Sequence, residues 1–343
     1  MGAKRIEFTG RAVRWFAPCR TLCHFAANCG TRCAQTVLVG AGNDSSFYWA
    51  HQIPLNPANS ILLTSPSCYT ESMIVAVDTG GTKTLIAGYT EDGKITSEFQ
   101  FPTPTKKSEY IETLTTHLTA LFDPKKVDAI VIALPGIVKN GVAVWCNNLH
   151  WKNFDVADEL KGVLGGAPLF VENDANLAGL AETRQRPTLP TSSLYVTIST
   201  GIGSGVITNG KIDPGLRYSE AGRALVEFDG TVREWETFAS GKAIFNTYGK
   251  YARDIKSKRI WNKIADRISR GFLAVIPIIQ PDVIIIGGSI GTYFTQYEEQ
   301  LKGILKEKLP PHIPLPKLVQ AKHPEQAVIY GCYYYALDVL ADS

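Results

Sequence analysis

Cysteine is scarce over most of this 343-residue chain. Five of its seven cysteines (Cys19, Cys23, Cys29, Cys33 and Cys68) fall within the first 72 residues, leaving only Cys146 and Cys332 beyond them. Two scattered thiols exclude a disulfide framework and point to a reducing, cytoplasmic setting. Long apolar runs are missing too. The nearest candidate, Phe272 to Ile286, is interrupted by Pro277, Gln280, Pro281 and Asp282, so it reads as a helix end followed by a buried strand, Val283–Ile286, and not as a membrane span. Net charge is absent where it would matter. Residues 1–72 hold six basic and three acidic residues of the chain's 35 and 32, which leaves 29 of each for the remainder. The formal excess of +3 therefore sits in the first 72 residues, and the body has no field to attract nucleic acid or an anionic membrane.

That leading stretch admits three readings. Its Cys-x3-Cys-x5-Cys-x3-Cys run with His24 inside resembles a zinc site, but the spacing matches none of the usual knuckles. Its Arg-rich, acid-poor, Ser-containing composition resembles an organellar transit peptide. The plainest reading takes Met73, immediately before the first strong strand, as the functional start, with residues 1–72 an upstream stretch. Under either of the last two readings the stretch is expected to carry no chemistry.

What the chain does have is a pattern used twice. Val75-Ala76-Val77-Asp78-Thr79-Gly80-Gly81-Thr82-Lys83 runs through a second apolar stretch into Asp92-Gly93-Lys94-Ile95. Tyr195-Val196-Thr197-Ile198-Ser199-Thr200-Gly201-Ile202-Gly203-Ser204-Gly205-Val206 likewise runs into Asn209-Gly210-Lys211-Ile212. Each copy reads as strand, glycine-rich turn, strand and tight polar turn. Runs of backbone N–H donors in such turns hold phosphate oxygens, so two copies suggest a duplicated fold that grips one polyphosphate from both sides.

From Met73 the pattern predicts strands near Ile74–Asp78, Thr84–Tyr89 and Lys94–Gln100, a helix over Glu109–Leu121 and a buried strand Ala129–Leu134. A short hairpin turning at Lys139-Asn140-Gly141, a helix opened by Asp155 and a strand Pro168–Val171 follow. Next come a helix Asp174–Glu182, a second strand-rich unit from Leu194, and helices over most of Gly241–Ile279. The chain closes with a strand at Val283, a helix opened by Gly287-Gly288-Ser289, a strand near Lys317–Gln320 and a helix Glu325–Leu340. Strands alternating with helices in each half imply an α/β fold of two mixed-sheet domains with a ligand cleft between them. The expected boundaries are 73–183, completed by the C-terminal helix 325–343, and 184–324.

Four features bear on chemistry, each with a plainer alternative. Asp78-x-Gly80-Gly81-Thr82-Lys83 is a phosphate cradle with Asp78 near Mg²⁺ or its waters, or an ordinary tight hairpin. Thr200-Gly201-Ile202-Gly203-Ser204-Gly205 offers donors to an anion, yet it lacks the Gly-Lys-Ser/Thr of a Walker loop and the strand-to-helix setting of a dinucleotide fingerprint. Glu172-Asn173-Asp174-Ala175-Asn176 lies where a strand gives way to a helix, and a capping Asn173 with a dipole-complementing Asp174 would account for part of it. Pro281 to Ser289 is a strand ending in two glycines, a junction that admits a flat ligand or simply close packing.

Taken in order, the motifs from Met73 to Ser343 resemble the repressor–open reading frame–kinase (ROK) family of sugar kinases and repressors, within the actin, hexokinase and Hsp70 phosphotransferase fold. The resemblance rests on Asp78-x-Gly80-Gly81-Thr82-Lys83, Leu134-Pro135-Gly136-Ile137-Val138, Asn148-Leu149-x-Trp151, Asn173-Asp174-Ala175-Asn176, Thr200-Gly201-Ile202-Gly203, Glu220-x-Gly222 and Gly287-Gly288. It implies the actin-like, ribonuclease H-like ATPase fold and an ATP-dependent phosphotransferase acting on a hexose, glucose foremost, or an N-acetylhexosamine. In that family the carboxylate at Asp174 is the base that accepts the sugar hydroxyl proton, while Mg²⁺ and the glycine hairpins hold ATP. An ordinary carboxylate is ionised at neutral pH, so no special pKa is expected of Asp174. Asn148, Asn173, Glu220 and Glu236 resemble the sugar-binding residues. Gly80, Gly81, Thr82, Lys83, Thr200, Gly201, Gly203, Gly287 and Gly288 resemble the nucleotide contacts, and a homodimer is implied.

One departure stands out. Most members follow Glu-x-Gly with His and a cysteine-rich zinc loop, whereas here Arg223 follows Gly222 and Ala224–Trp235 contains no cysteine. The expectation is a zinc-free protein in which Arg223 donates to the sugar or pairs with Glu220 or a neighbouring acid. Two alternatives to a kinase are a sugar-sensing regulator, for which the leader shows no helix-turn-helix, and an inactive sugar-binding protein, against which Asp78, Asp174 and the glycines argue.

Overall fold

The computed structural model describes residues 72–323 and 326–342, so the three readings of the leading stretch fall on residues 1–71, outside the described residues. The first sheet grows from β1 (Met73–Thr79), which folds back through the Gly80-Gly81 turn onto β2 (Lys83–Thr90), itself antiparallel to β3 (Ile95–Pro102). After α1 (Lys107–Leu121), β4 (Val127–Leu134) returns parallel to β1. A small antiparallel sheet of β5 (Ile137–Lys139), β6 (Val142–Cys146) and β7 (Trp151–Asp155) intervenes. Then α2 (Val156–Glu159), whose first turn Asp155 caps, leads to β8 (Leu169–Asn173), parallel to β4, and to α3 (Asp174–Arg184).

The second half repeats the arrangement. Here β9 (Ser192–Ile198) turns at Ser199-Thr200-Gly201 into antiparallel β10 (Ile202–Thr208), followed by β11 (Lys211–Ile212). A hairpin of β12 (Leu225–Phe228) and β13 (Thr231–Glu234) precedes α4 (Glu236–Ala239), α5 (Gly241–Tyr248) and α6 (Lys258–Ile279). Strand β14 (Val283–Gly287), α7 (Gly288–Gly291), α8 (Glu298–Lys308), β15 (Lys317–Gln320) and α9 (Ala327–Ala341) complete the chain. The strand orders β3-β2-β1-β4-β8 and β11-β10-β9-β14-β15 are the same order twice, so the repeated sequence pattern is a repeated topology.

Period-two alternation explains how each sheet is covered. Val75, Val77, Ile130 and Ile132 point to the face that packs on Tyr110, Leu114 and Leu118 of α1. Ile74, Ala76, Ala129 and Val131 point to the other face, onto Ile329, Cys332 and Ala336 of α9. Strands buried on both faces read as continuous apolar runs, which is why these stood out. In the second sheet Leu194, Val196, Ile284 and Ile286 meet Ile264, Ile268 and Phe272 of α6, while Tyr195, Val283 and Ile285 meet Ala178 of α3 and Ala327 of α9. Helices α3 and α9 are thus shared by both sheets. Each fully buried aliphatic side chain of this kind contributes about 1.5–3 kcal/mol.

The helical stretch expected over Gly241–Ile279 is divided. Gly249 ends α5 in the left-handed conformation at φ 64°, and the chain restarts after Ser257. Such a cap suits glycine, which has no Cβ to clash there. No helix among the described residues is long and apolar enough to cross a membrane.

Candidate active site

The two glycine turns open onto one cavity of about 370 Å³ between the sheets. From the first half it is walled by Gly81, Gly136, Trp145, Asn148, Asn173 and Asp174, and from the second by Thr200, Gly201, Gly203, Glu220, Arg223 and Glu236. Asp174, all the expected sugar-side residues and four of the expected nucleotide-side residues therefore meet in one place.

Asp174 begins α3 and its Oδ1 accepts the Ala175 N–H at 2.8 Å. Burial pushes its carboxyl up to about 7, the neighbouring charges of Asp78 and Glu220 push the same way, and the Ala175 N–H opposes them. The sequence reading gave it an ordinary pKa; the enclosure supplied by the fold, which no local motif reveals, changes that. Asp78, at the end of β1, is raised to about 6 by burial, with Lys83 pulling it down. Burial also raises Glu220, aided by Glu236 and opposed by Arg223.

Asn173 does serve as the helix cap: its Oδ1 accepts the Asn176 N–H at 2.9 Å, and its Nδ2 donates to the Gly136 carbonyl at 2.8 Å. It lines the cavity while locking the turn that presents Asp174. Asn148, by contrast, is exposed. Glu236 is similarly engaged, with Oε2 accepting the Ile202 N–H at 2.8 Å inside the second glycine turn. This approach needs Gly201, because a Cβ there would stand 2.3 Å from Glu236 Oε2. Among the described residues no partner takes the N–H of Thr200 or of Gly201.

Arg223 pairs with Glu234 at 2.6 Å and Glu236 at 3.3 Å, and its guanidinium lies 4.8 Å from the centre of the Trp145 ring. The pairing with neighbouring acids expected from sequence is thus present, and the contact with the Trp145 ring reaches across the cleft. The stretch after Gly222 folds as the β12–β13 hairpin. Among the described residues no three His, Cys, Asp or Glu side chains cluster as a metal site. Magnesium makes no such demand, because it is commonly held by one or two carboxylates plus phosphate oxygens. Asp78, a carboxylate at the end of β1 beside the first glycine turn, fits that donor set, although it lines neither cavity.

A second cavity of about 520 Å³ shares Ser199, Thr200 and Lys242 with the first, and Phe245, Tyr251, Ile290 and Tyr293 give it apolar walls. None of these was singled out from sequence, since aromatic residues spread over three separate segments carry no local signature. Gly287 and Gly288 line neither cavity. A Cβ on Gly287 would stand 2.3 Å from Tyr195 Oη, and Gly288, at φ 76°, packs against the Ile198 carbonyl. Their junction lets α7 start tightly and brings Ser289 to the second cavity. Gly80, Thr82 and Lys83 sit in or beside the first turn without lining either cavity, Thr103 bonding the Gly80 and Thr82 carbonyls.

Two sheets of repeated topology closing on a polar cleft define the actin-like ATPase fold. A glucokinase from Streptomyces griseus, solved with glucose and AMPPNP, superimposes with a TM-score of 0.65 at 22% identity, covering 78% of this chain and 100% of that one. The ROK family model matches residues 74–339, and the chain belongs to that family. Curated relatives include a fructokinase from Pediococcus pentosaceus, 28% identical over 256 residues, covering 69% of this chain and 85% of that protein. An N-acetylmannosamine kinase from Salmonella heidelberg is 27% identical over 270 residues, covering 70% and 91%.

Proposed function

We propose that this protein is an ATP-dependent sugar kinase that moves the γ-phosphoryl group of ATP to a hydroxyl of a hexose or N-acetylhexosamine. The observation that carries the reading is Asp174, a carboxylate held near neutrality at the point where the polar cavity meets both glycine turns. Asn148, Glu220 and the cavity face of Asn173 would orient the sugar hydroxyls. As the hydroxyl oxygen bonds to the γ-phosphorus, the bond from phosphorus to the β,γ-bridging oxygen breaks and ADP leaves. The hydroxyl proton passes to Asp174. The Thr200 and Gly201 N–H groups donate to phosphate oxygens, and the aromatic second cavity takes the nucleoside. Asp78 would hold a Mg²⁺ ion together with the phosphates, and the ion would supply charge neutralisation for the transferring group.

Arg223 keeps Glu236 in place and shapes the wall; no zinc is required. Treatment with a chelator followed by Mg-ATP should leave the rate unchanged, and one stoichiometric zinc in the purified protein would contradict this. The deciding experiment follows ADP release from Mg-ATP over a panel that includes glucose, fructose, mannose, N-acetylmannosamine and N-acetylglucosamine. Strong acceleration by one sugar supports the kinase and names its substrate. Thermal stabilisation by a sugar without turnover would favour a binding or regulatory protein instead.

A further inference from the structure

Glu172 is an acidic side chain beside the reacting groups to which phosphoryl transfer itself gives no task. It is 2% exposed at the end of β8, immediately before Asn173 and Asp174. Its Oε1 accepts the Asn173 N–H at 2.8 Å and the Asn176 Nδ2 at 2.9 Å. Its Oε2 takes Arg217, through Nε at 2.7 Å and through Nη2. Arg217 also donates from Nη2 to Tyr335 Oη on α9 at 2.7 Å, and its carbonyl accepts the Asn176 Nδ2 at 2.8 Å. Arg217 belongs to the turn that Asp213 organises by accepting the Gly215 and Leu216 N–H groups, at 2.9 and 3.0 Å, and three residues later that turn delivers Glu220 to the cavity.

We propose that Arg217 is a positioning residue for phosphoryl transfer, its guanidinium holding Glu172 so that the Asp174-bearing head of α3 keeps register with the Glu220 turn. This rests on the reading of Asp174 as the base. A buried carboxylate is costly without a partner, and a guanidinium that places two N–H groups on its Oε2 supplies both the charge and a fixed geometry. The peptide it orients through the Asn173 N–H is the one that leads into Asp174. The same guanidinium reaches across from the second half of the chain, so one side chain sets the distance between the base and the sugar-side acid. Such placement matters because a shift of about 1 Å at a reacting group costs up to about 100-fold in rate.

Arg217 also walls a third cavity of about 240 Å³, with Phe170, Tyr218 and Tyr335, that shares no residue with the first. Truncation would leave a space that a free guanidinium ion can enter. The test is Arg217→Ala in the full chain, assayed with and without added guanidinium below denaturing concentrations, beside wild type. The expected result is a kcat lower by about 10- to 100-fold, a KM for ATP changed far less, and partial recovery with guanidinium. Arg217→Lys should fall between the two, keeping the charge without the fork. Hydrogen exchange should rise together in peptides covering 172–177 and 216–222 and fall again when guanidinium is added. If Arg217→Ala turns over like wild type, or loses rate and thermal stability together with no response to guanidinium, the proposal is overturned. Unchanged exchange in those two segments overturns it as well. Should Arg217→Ala fail to fold, Glu172→Gln, which sets an amide against the guanidinium, gives the same kinetic and exchange readouts. Failure of wild type to phosphorylate any sugar would instead count against the kinase reading, while the exchange data would still judge the positioning.

Discussion

A base accepts a proton only when ionised, and Asp174 ionises late. With its carboxyl raised to about 7 by burial and by Asp78 and Glu220, kcat/KM for the sugar should fall on the acid side with an apparent pKa near 7. A profile from pH 5.5 to 9 checks this, and an acid side that stays flat down to 5.5 would mean that Asp174 is not the group being read. The same shift has a consequence for stability. The unfolded chain gives up this proton near pH 4 and the folded chain near 7, so between those values the folded state holds more protons and folding stability declines as pH rises. Asp174→Asn removes that penalty. The unliganded variant should melt at a higher temperature than wild type at pH 8, and the gain should shrink at pH 5, where the carboxyl is already protonated. In turnover the same change should cost about 10²–10⁴-fold while sugar binding survives, read by kcat beside calorimetric titration.

At the scale of elements, the two hairpins were legible from sequence because glycine turns between doubly buried strands leave a continuous apolar signal on either side of a polar break. The Asn173 cap and the start of α3 were legible for a similar local reason. The β12–β13 hairpin carried a local signal of its own, the Asp229-Gly230 turn at positive φ that pairs Phe228 with Thr231, whereas the aromatic wall of the second cavity carried none, since its residues become neighbours only through long-range packing. Gly287-Gly288 was legible as a junction but not in its use, because a glycine pair at a strand end looks the same whether it admits a ligand or simply packs closely, as it does on Tyr195 and Ile198. Gly201 gives an element-scale test. In Gly201→Ala the new methyl would lie 2.3 Å from Glu236 Oε2. The carboxylate is the free end of its side chain and can swing away, so the fold should lose little stability. Swinging, however, breaks the bond to the Ile202 N–H and loosens Arg223. The expected outcome is a melting temperature close to wild type with a several-fold higher KM for ATP; a large drop in melting temperature with KM unchanged would show that the turn, and not the carboxylate, bears the strain.

For the whole molecule, the shared helices α3 and α9 make the two sheets one body while leaving the cavity walls divided between them. Asp174, Asn148 and Trp145 come from the first half; Gly201, Glu220 and Arg223 come from the second. A sugar bound to both walls would draw them together, and the Arg223–Trp145 contact, 4.8 Å from guanidinium to ring centre, already spans that gap. Closure of this kind would bring the γ-phosphate to Asp174 and remove the water that otherwise intercepts it. Water alone cannot bridge the two walls, so ATP hydrolysis without sugar should run far below phosphorylation with it. Solution scattering should also show the radius of gyration shrinking when sugar is added. Equal ATP consumption in the presence and absence of the preferred sugar would mean that the open cavity is already competent, and the separation of walls between the two sheets would then have no part in keeping water from the phosphate.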